Sequence, residues 1–259
     1  VVITGATGGI GSAVARRWAE HGADLVLLAR SPGALATLAA GLPRPYRVET
    51  VVADVADRRA VEAAFERTVA RFGRVDVVVH SAAVVAYGRL GDVPPDVWER
   101  VARVGVEGTA NVARAALQRF TAQDGGSLVL VGSVLGRVTT PYMGSYVTAK
   151  FAVRGLARVL QQEARRMPGV HVVLVEPGSV RTEIYRLAAN YAGRVGRPPP
   201  PVISPDRVAA AVLRGVDRRR RTVSIGPVNL VMRLGFELTP WLYDRLVTPL
   251  MQVAGLRRT

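Results

Sequence analysis

Apolar and polar positions alternate in blocks along this chain. Continuous runs of Val, Leu and Ile occupy Val1–Thr4, Asp24–Ala29, Arg47–Ala53, Val75–His80, Ser127–Gly132, Val170–Val175 and Thr222–Ile225. Runs that stay apolar, rather than alternating with polar residues, mark strands buried on both faces. Between them, apolar residues recur at helical spacing near residues 10–20, 57–72, 95–120, 145–167 and 205–217. The last of these opens on Ser204-Pro205-Asp206, a capping residue with proline at the first helical position. Strand and helix alternating this often predict an α/β fold, with a parallel sheet covered by helices on both faces and right-handed crossovers. No internal repeat is visible.

Two stretches depart from this rhythm. Residues 183–203 are expected to form a long loop, ending in Pro198 to Pro201. A connection of that length is usually functional, and it is expected to act as a substrate lid. From residue 227 to 259 the chain reads as an amphipathic helical tail split at Pro240. Leu230, Val231, Leu234 and Leu238 share one face, and Leu242, Leu246 and Leu250 another.

Composition narrows the chemistry. A chain of 259 residues, 49% hydrophobic and 21% charged, can build a large core as a single unit. With no cysteine it has no disulfide, thiolate metal site or cysteine nucleophile, and a cytoplasmic setting is expected. Three histidines, His21, His80 and His171, form no HExxH pair, so no metal site is expected. No run of 18 apolar residues suggests a membrane span. The chain begins directly in a strand-like run, without a starting methionine; no signal segment is expected. The net charge of +15 comes almost wholly from arginine. Scattered as these arginines are, a solvated basic surface is favoured over a nucleic-acid site. The sole lysine is Lys150.

The first strand runs into Thr4-Gly5-Ala6-Thr7-Gly8-Gly9-Ile10-Gly11, and a helix follows. Glycines there allow a tight turn and let backbone amides approach a pyrophosphate at the positive end of the helix. At the end of the second strand, an acid would bind a free ribose hydroxyl. The chain has Ala29-Arg30-Ser31 instead. A guanidinium and a hydroxyl suit a phosphate, which favours NADP over NAD. Asp54, after the third strand, either accepts from an adenine amino group or caps the helix near 57.

Tyr146 and Lys150 are four residues apart and share a helix face. A nearby ammonium favours the phenolate, so the tyrosine pKa is expected to fall toward a range useful for acid–base work. Ser133, 13 residues earlier at a strand end, is placed to bond the same substrate oxygen. Hydride transfer between a carbonyl and an alcohol is the chemistry these groups suit.

Gly5, Gly9 and Gly11, with Ser133, Tyr146 and Lys150, resemble the classical short-chain dehydrogenase/reductase family, as does Glu176-Pro177-Gly178-Ser179-Val180-Arg181-Thr182. The likeness covers residues 1–182 well and the rest in outline. It implies a single Rossmann-type, doubly wound domain with a seven-stranded parallel sheet. It implies that Tyr146 is the acid/base, that Ser133 orients the substrate oxygen, and that Lys150 also bonds the nicotinamide ribose. Asp54 and Val55 would border the adenine, and Val180 and Thr182 hold the carboxamide. Thr7, Ile10, Ala82, Pro177 and Gly178 would complete the cofactor contacts.

Two departures stand out. The family usually has Asn-Asn-Ala-Gly after the fourth strand, where this chain has His80-Ser81-Ala82-Ala83. The asparagine that anchors a proton-relay water in the family aligns with Gly105, while Asn111 matches a second, structural asparagine. A backbone carbonyl at Gly105 or a neighbour, freed by a local helix distortion, is expected to hold that water instead. His80 is read as a satisfied strand-end histidine.

The leading reading is an NADP-dependent oxidoreductase acting on a small hydrophobic carbonyl or alcohol, as a homodimer or homotetramer. Two alternatives stay open: an extended-type epimerase or dehydratase on a nucleotide sugar, and a low-turnover NADP-binding regulatory or membrane-surface protein. For the tail, packing over the pocket or a partner subunit is favoured over peripheral contact with an anionic membrane.

Overall fold

The computed structural model describes residues 1–257; the final two residues of the predicted tail lie outside the described residues. The main-sheet strands are β1 (Val2–Thr4), β2 (Leu25–Ala29), β3 (Val48–Val52), β4 (Val77–His80), β6 (Gly126–Val131), β7 (Val170–Pro177) and β10 (Thr222–Ile225). The short strands β5 (Ala86–Tyr87), β8 (Ala189–Asn190), β9 (Val195–Gly196) and β11 (Leu256–Arg257) lie outside that sheet. All pairings in the seven-stranded sheet are parallel, in the order β10-β7-β6-β4-β1-β2-β3. The order reverses between β1 and β4, the switch point at which open α/β sheets form a ligand crevice. This is the Rossmann-type sheet that the apolar runs and the resemblance predicted, with ends within two residues of expectation.

The helices are α1 (Gly9–Glu20), α2 (Pro32–Ala40), α3 (Arg58–Phe72), α4 (Pro95–Ala102), α5 (Gly108–Ala122), α6 (Gly144–Glu163), α7 (Ile184–Leu187), α8 (Pro205–Asp217), α9 (Asn229–Leu238) and α10 (Pro240–Leu250). One face of the sheet packs Ile3, Leu27, Val79 and Val129 against Val14 and Trp18 of α1 and Val208 and Val212 of α8. The other packs Val2, Val78 and Leu128 against Phe65 of α3, Phe120 of α5 and Leu160 of α6.

Helix α2 and the 183–203 connection differ from the expected pattern, while the helix distortion expected at Gly105 is present. Helix α2 has no counterpart among the predicted helices. It opens on Pro32-Gly33 and buries only Leu35, so it has almost no amphipathic stripe to read. Its start is fixed by the Ser31 hydroxyl, which accepts from the Ala34 amide at 3.3 Å. The helix expected over 95–120 widens at Arg103–Glu107 into a π turn between α4 and α5. The 183–203 connection is structured, holding α7, β8 and β9.

The tail forms the predicted helix pair, with its break at Pro240. Yet Leu238, Trp241 and Leu250 are more than half exposed. Besides Asn229 at the start of α9, its contribution to the interior comes after α10, where Met251 and Leu256 are buried and β11 pairs antiparallel with β9. Arg197 fastens this end, donating from Nε to the Ala254 carbonyl at 2.9 Å and from its terminal nitrogen to that of Val253 at 2.5 Å. Among the described residues, no helix is long and apolar enough to cross a membrane.

Candidate active site

The glycine turn after β1 is constrained at two points. Gly5 has a φ of +64°, and a Cβ there would stand 2.6 Å from the Ala82 amide nitrogen. A Cβ on Gly9 would stand 2.6 Å from the Thr182 methyl. These approaches set the turn against Ala82 at the end of β4 and against Thr182 beyond β7. The start of α1 carries no side-chain cap, so the amides of Gly9, Ile10 and Gly11 have no intrahelical acceptor. Thr7 is exposed at the mouth of the turn. Backbone donors gathered at a helix N-terminus are the arrangement that suits a pyrophosphate.

Arg30 and Ser31 are both exposed where β2 ends. Ser31 is engaged in capping α2, so Arg30 is the freer of the two predicted phosphate ligands. Asp54 does not cap the helix near 57: Asp57 does, accepting from the amides of Arg59 and Ala60. Asp54 instead accepts from the Ala56 amide at 3.0 Å and from Arg100 at 2.5 Å. Burial pushes its carboxyl up, but those two bonds and the charges of Arg100 and Arg30 outweigh that and hold it below the usual range. Asn111 donates to the Val55 carbonyl at 3.1 Å, the structural part expected of it.

Ser133 lies just beyond β6 and caps a short 3₁₀ turn, its hydroxyl accepting from the Leu135 amide at 3.1 Å. The turn presses on α6 through Gly136, where a Cβ would stand 2.7 Å from the Lys150 carbonyl. This contact brings Ser133 beside Tyr146 and Lys150, one helical turn apart on α6. Lys150 is buried, donates from Nζ to the Val131 carbonyl at 2.8 Å, and sits 5.5 Å from the centre of the Tyr146 ring. Burial lowers its pKa to about 8.

The expected fall in the Tyr146 pKa does not occur. Burial raises it above the ordinary tyrosine value, nearby Tyr185 adds to that, and the Ser133 hydroxyl opposes it only in part. The physical reason is burial: enclosing the phenol disfavours its charged form by more than the Ser133 hydrogen bond favours it.

His80 is buried, as a satisfied strand-end histidine should be. Nδ1 is 2.8 Å from the Thr4 hydroxyl and Nε2 3.0 Å from that of Thr109. Thr109 donates to the Gly105 carbonyl, so it accepts from Nε2–H, and Nδ1 accepts from Thr4. Burial, with Lys150 nearby, lowers the His80 pKa to about 3 and keeps it neutral.

Several side chains around the site were given no role at the sequence level. Glu176, fully buried at the end of β7, accepts from Arg137 Nε at 2.9 and 2.7 Å and lies 3.6 Å from Arg154. It joins the segment after Ser133, helix α6 and the Pro177-Gly178 stretch. A charge inside an apolar strand is a readable signal of such pairing. Buried Asn229 donates to the Glu176 carbonyl at 3.2 Å and abuts Gly178, whose amide donates to the Ile225 carbonyl at 2.7 Å. Val180 is buried and bridged to Ile203. Nothing local marked Asn229.

A family model described as short chain dehydrogenase matches residues 1–190. The chain belongs to the short-chain dehydrogenase/reductase family, and it is an oxidoreductase of that family. It is 32% identical over 255 residues to the uncharacterized oxidoreductase YxnA of Bacillus subtilis, covering 97% of this chain and 72% of that protein. It is 34% identical over 221 residues to the oxidoreductase UcpA of Escherichia coli, covering 85% and 80% of the two chains. Among solved structures, a short chain dehydrogenase/reductase of Burkholderia phymatum in complex with NAD superposes with a TM-score of 0.81 at 28% identity, covering 93% of each chain. A short chain dehydrogenase of Burkholderia cenocepacia in complex with NADP gives 0.79 at 25% identity, over 96% and 97%.

Proposed function

We propose that this chain is an NADP-dependent reductase that converts a small hydrophobic carbonyl to its alcohol, with Tyr146 as proton donor. The observation that carries this reading is the convergence of Ser133, Tyr146 and Lys150 at one end of the sheet, locked by the close approach of Gly136 to α6. When bound, the nicotinamide supplies the hydride. Ser133 would hold the carbonyl oxygen, and Tyr146 would hand it a proton as the alcohol forms. At neutral pH the phenol is protonated, as the donor of that proton must be. Lys150, a buried ammonium beside the ring, would bond the nicotinamide ribose. Gly5, Gly9 and Gly11 would cradle the pyrophosphate, Arg30 would take the 2′-phosphate, and Pro177, Gly178, Val180 and Thr182 would border the nicotinamide. The structured 183–203 segment and the end of the tail form the roof. Its side is apolar, with Val85, Met143, Val147, Met251 and Leu256 buried in one cluster with Tyr146 at its edge.

The groove of about 550 Å³ between α5 and α6, lined by Ala113, Leu117, Leu156 and Leu160, supports a homodimer through these helices. A monomer mass in light scattering would contradict that. For the reaction, NADPH oxidation is followed across a panel of ketones and aldehydes, with wild type and Tyr146→Phe. Sustained turnover lost in Tyr146→Phe, with NADPH still bound, is the expected result. Equal rates in the two proteins would refute the mechanism.

A further inference from the structure

Tyr87, on β5, is completely buried. Its hydroxyl is also buried and has no hydrogen-bond partner among the described residues. Two structured parts of the roof meet at this ring. Strand β5 runs parallel to β8, with Tyr87 opposite Asn190. On β9, Gly196 lies so close that a Cβ there would collide with the ring. The ring is therefore gripped, and its hydroxyl cannot swing out to water without opening the roof.

A phenol in such a place is chemically odd. Phenylalanine would fill the same volume without burying an unpaired polar atom, which is destabilising. Buried tyrosines usually find a partner for the hydroxyl. Val85, Met143, Met251 and Leu256 pack in the same apolar cluster, and the phenols of Tyr146 and Tyr185 lie near it. Burial, with these two phenols near it, pushes the Tyr87 pKa well up, so the group stays a neutral donor.

We infer that the Tyr87 hydroxyl is a specificity-determining contact for a second, uncharged oxygen on the substrate. The substrate class is then a bifunctional one: a carbonyl reduced at Tyr146, and a hydroxyl or second carbonyl bonded by Tyr87, on an apolar skeleton. A neutral hydroxyl or carbonyl fits better than a carboxylate, because a charge taken into this apolar cluster is costly. This inference rests on the proposed carbonyl reduction at the same site.

The experiment compares a cyclic diketone with the cyclic monoketone of the same skeleton, in wild type and Tyr87→Phe. Wild type should prefer the diketone, and Tyr87→Phe should cut the ratio of the two kcat/KM values about tenfold or more, mostly through KM. In parallel, binding of both ketones to the NADP-loaded Tyr146→Phe protein is read by thermal shift, with and without Tyr87→Phe. The diketone shift should shrink relative to the monoketone shift. If neither ratio changes, or both ketones lose equally, Tyr87 only supports the roof and the inference fails. If no ketone is turned over but the binding preference still depends on Tyr87, the site recognises the second oxygen and the reductase reading fails instead.

Discussion

The hydroxyl of Thr109 donates to the carbonyl of Gly105 at 2.6 Å, across the π turn between α4 and α5. The helix distortion expected at Gly105 is therefore present, but the carbonyl it frees already has one donor. One lone pair of that carbonyl remains to accept a further hydrogen bond. Glycine has a second reason to be here: a Cβ would stand 2.7 Å from the Cβ of Ala149, beside Lys150.

Gly105→Ala should then push α6 away from α5 at the base of Lys150. The expected cost is about 1–3 kcal/mol of stability, together with a marked loss of turnover. Urea unfolding and kcat measure the two. Ala149→Gly in the same chain should restore much of the turnover, because it removes the opposing methyl. Failure of that rescue would show that the loss is not steric, and Gly105→Asn meets the same collision before its side chain can hold any water.

Why some of this was legible in the sequence and some was not follows from range. The strands are buried on both faces, so each shows as an unbroken apolar run, and Thr222–Ile225 was read to the residue. The glycine turn and the Tyr146–Lys150 spacing are local patterns and were equally visible. Helix α2 buries one leucine and has no stripe to detect. The direction of the Tyr146 pKa was misread because spacing places Lys150 near the ring but does not reveal how deeply the fold buries the phenol. Asp54 was offered adenine or a helix cap, while its partner Arg100 lies 46 residues away. Such pairings arise only when the sheet brings distant segments together.

Glu176 makes a second test of how the site is held. Its carboxylate is fully buried and faces Arg137 and Arg154. Breaking a buried pair from one side leaves an uncompensated charge and typically costs about 3–5 kcal/mol. Glu176→Gln should lower the melting temperature clearly. It should also reduce kcat, because the segment after Ser133 and the Pro177-Gly178 stretch lose their common anchor. Arg137→Met should produce a loss of the same order, and the double variant should lose less than the sum. Additive losses would mean that the two side chains do not act as a pair.

His80 sets an acid limit on stability. In the unfolded chain it takes up a proton near pH 6.5, and in the folded chain only near pH 3. Between these values the unfolded state binds more protons, so stability falls as the pH drops below 6.5. By about pH 4 the loss should be on the order of 3 kcal/mol. His80→Asn keeps a donor and an acceptor between Thr4 and Thr109 but has no proton to take up. Melting temperatures from pH 4 to 7 should therefore fall less steeply in His80→Asn than in wild type. Parallel curves would show that the acid sensitivity has another source.

The proposed preference for NADP rests on Arg30, and Arg100 supplies the contrast. Arg30 is exposed at the end of β2, close enough to help hold the Asp54 carboxylate in its charged form, which Arg100 bonds directly. Removing a charge-assisted contact to the 2′-phosphate should cost about 1.5–3 kcal/mol, roughly a 10-fold to 100-fold weaker NADPH Kd in Arg30→Ala. NADH has no such phosphate, so its Kd should stay within about twofold. Arg100→Ala should behave differently: it frees Asp54 without touching the phosphate, and should weaken both cofactors alike by loosening the adenine edge. Titration of both cofactors by fluorescence separates the two patterns. Equal affinity of wild type for NADPH and NADH would refute the proposed preference for NADP, and an Arg30→Ala loss shared by both would remove Arg30 as its determinant.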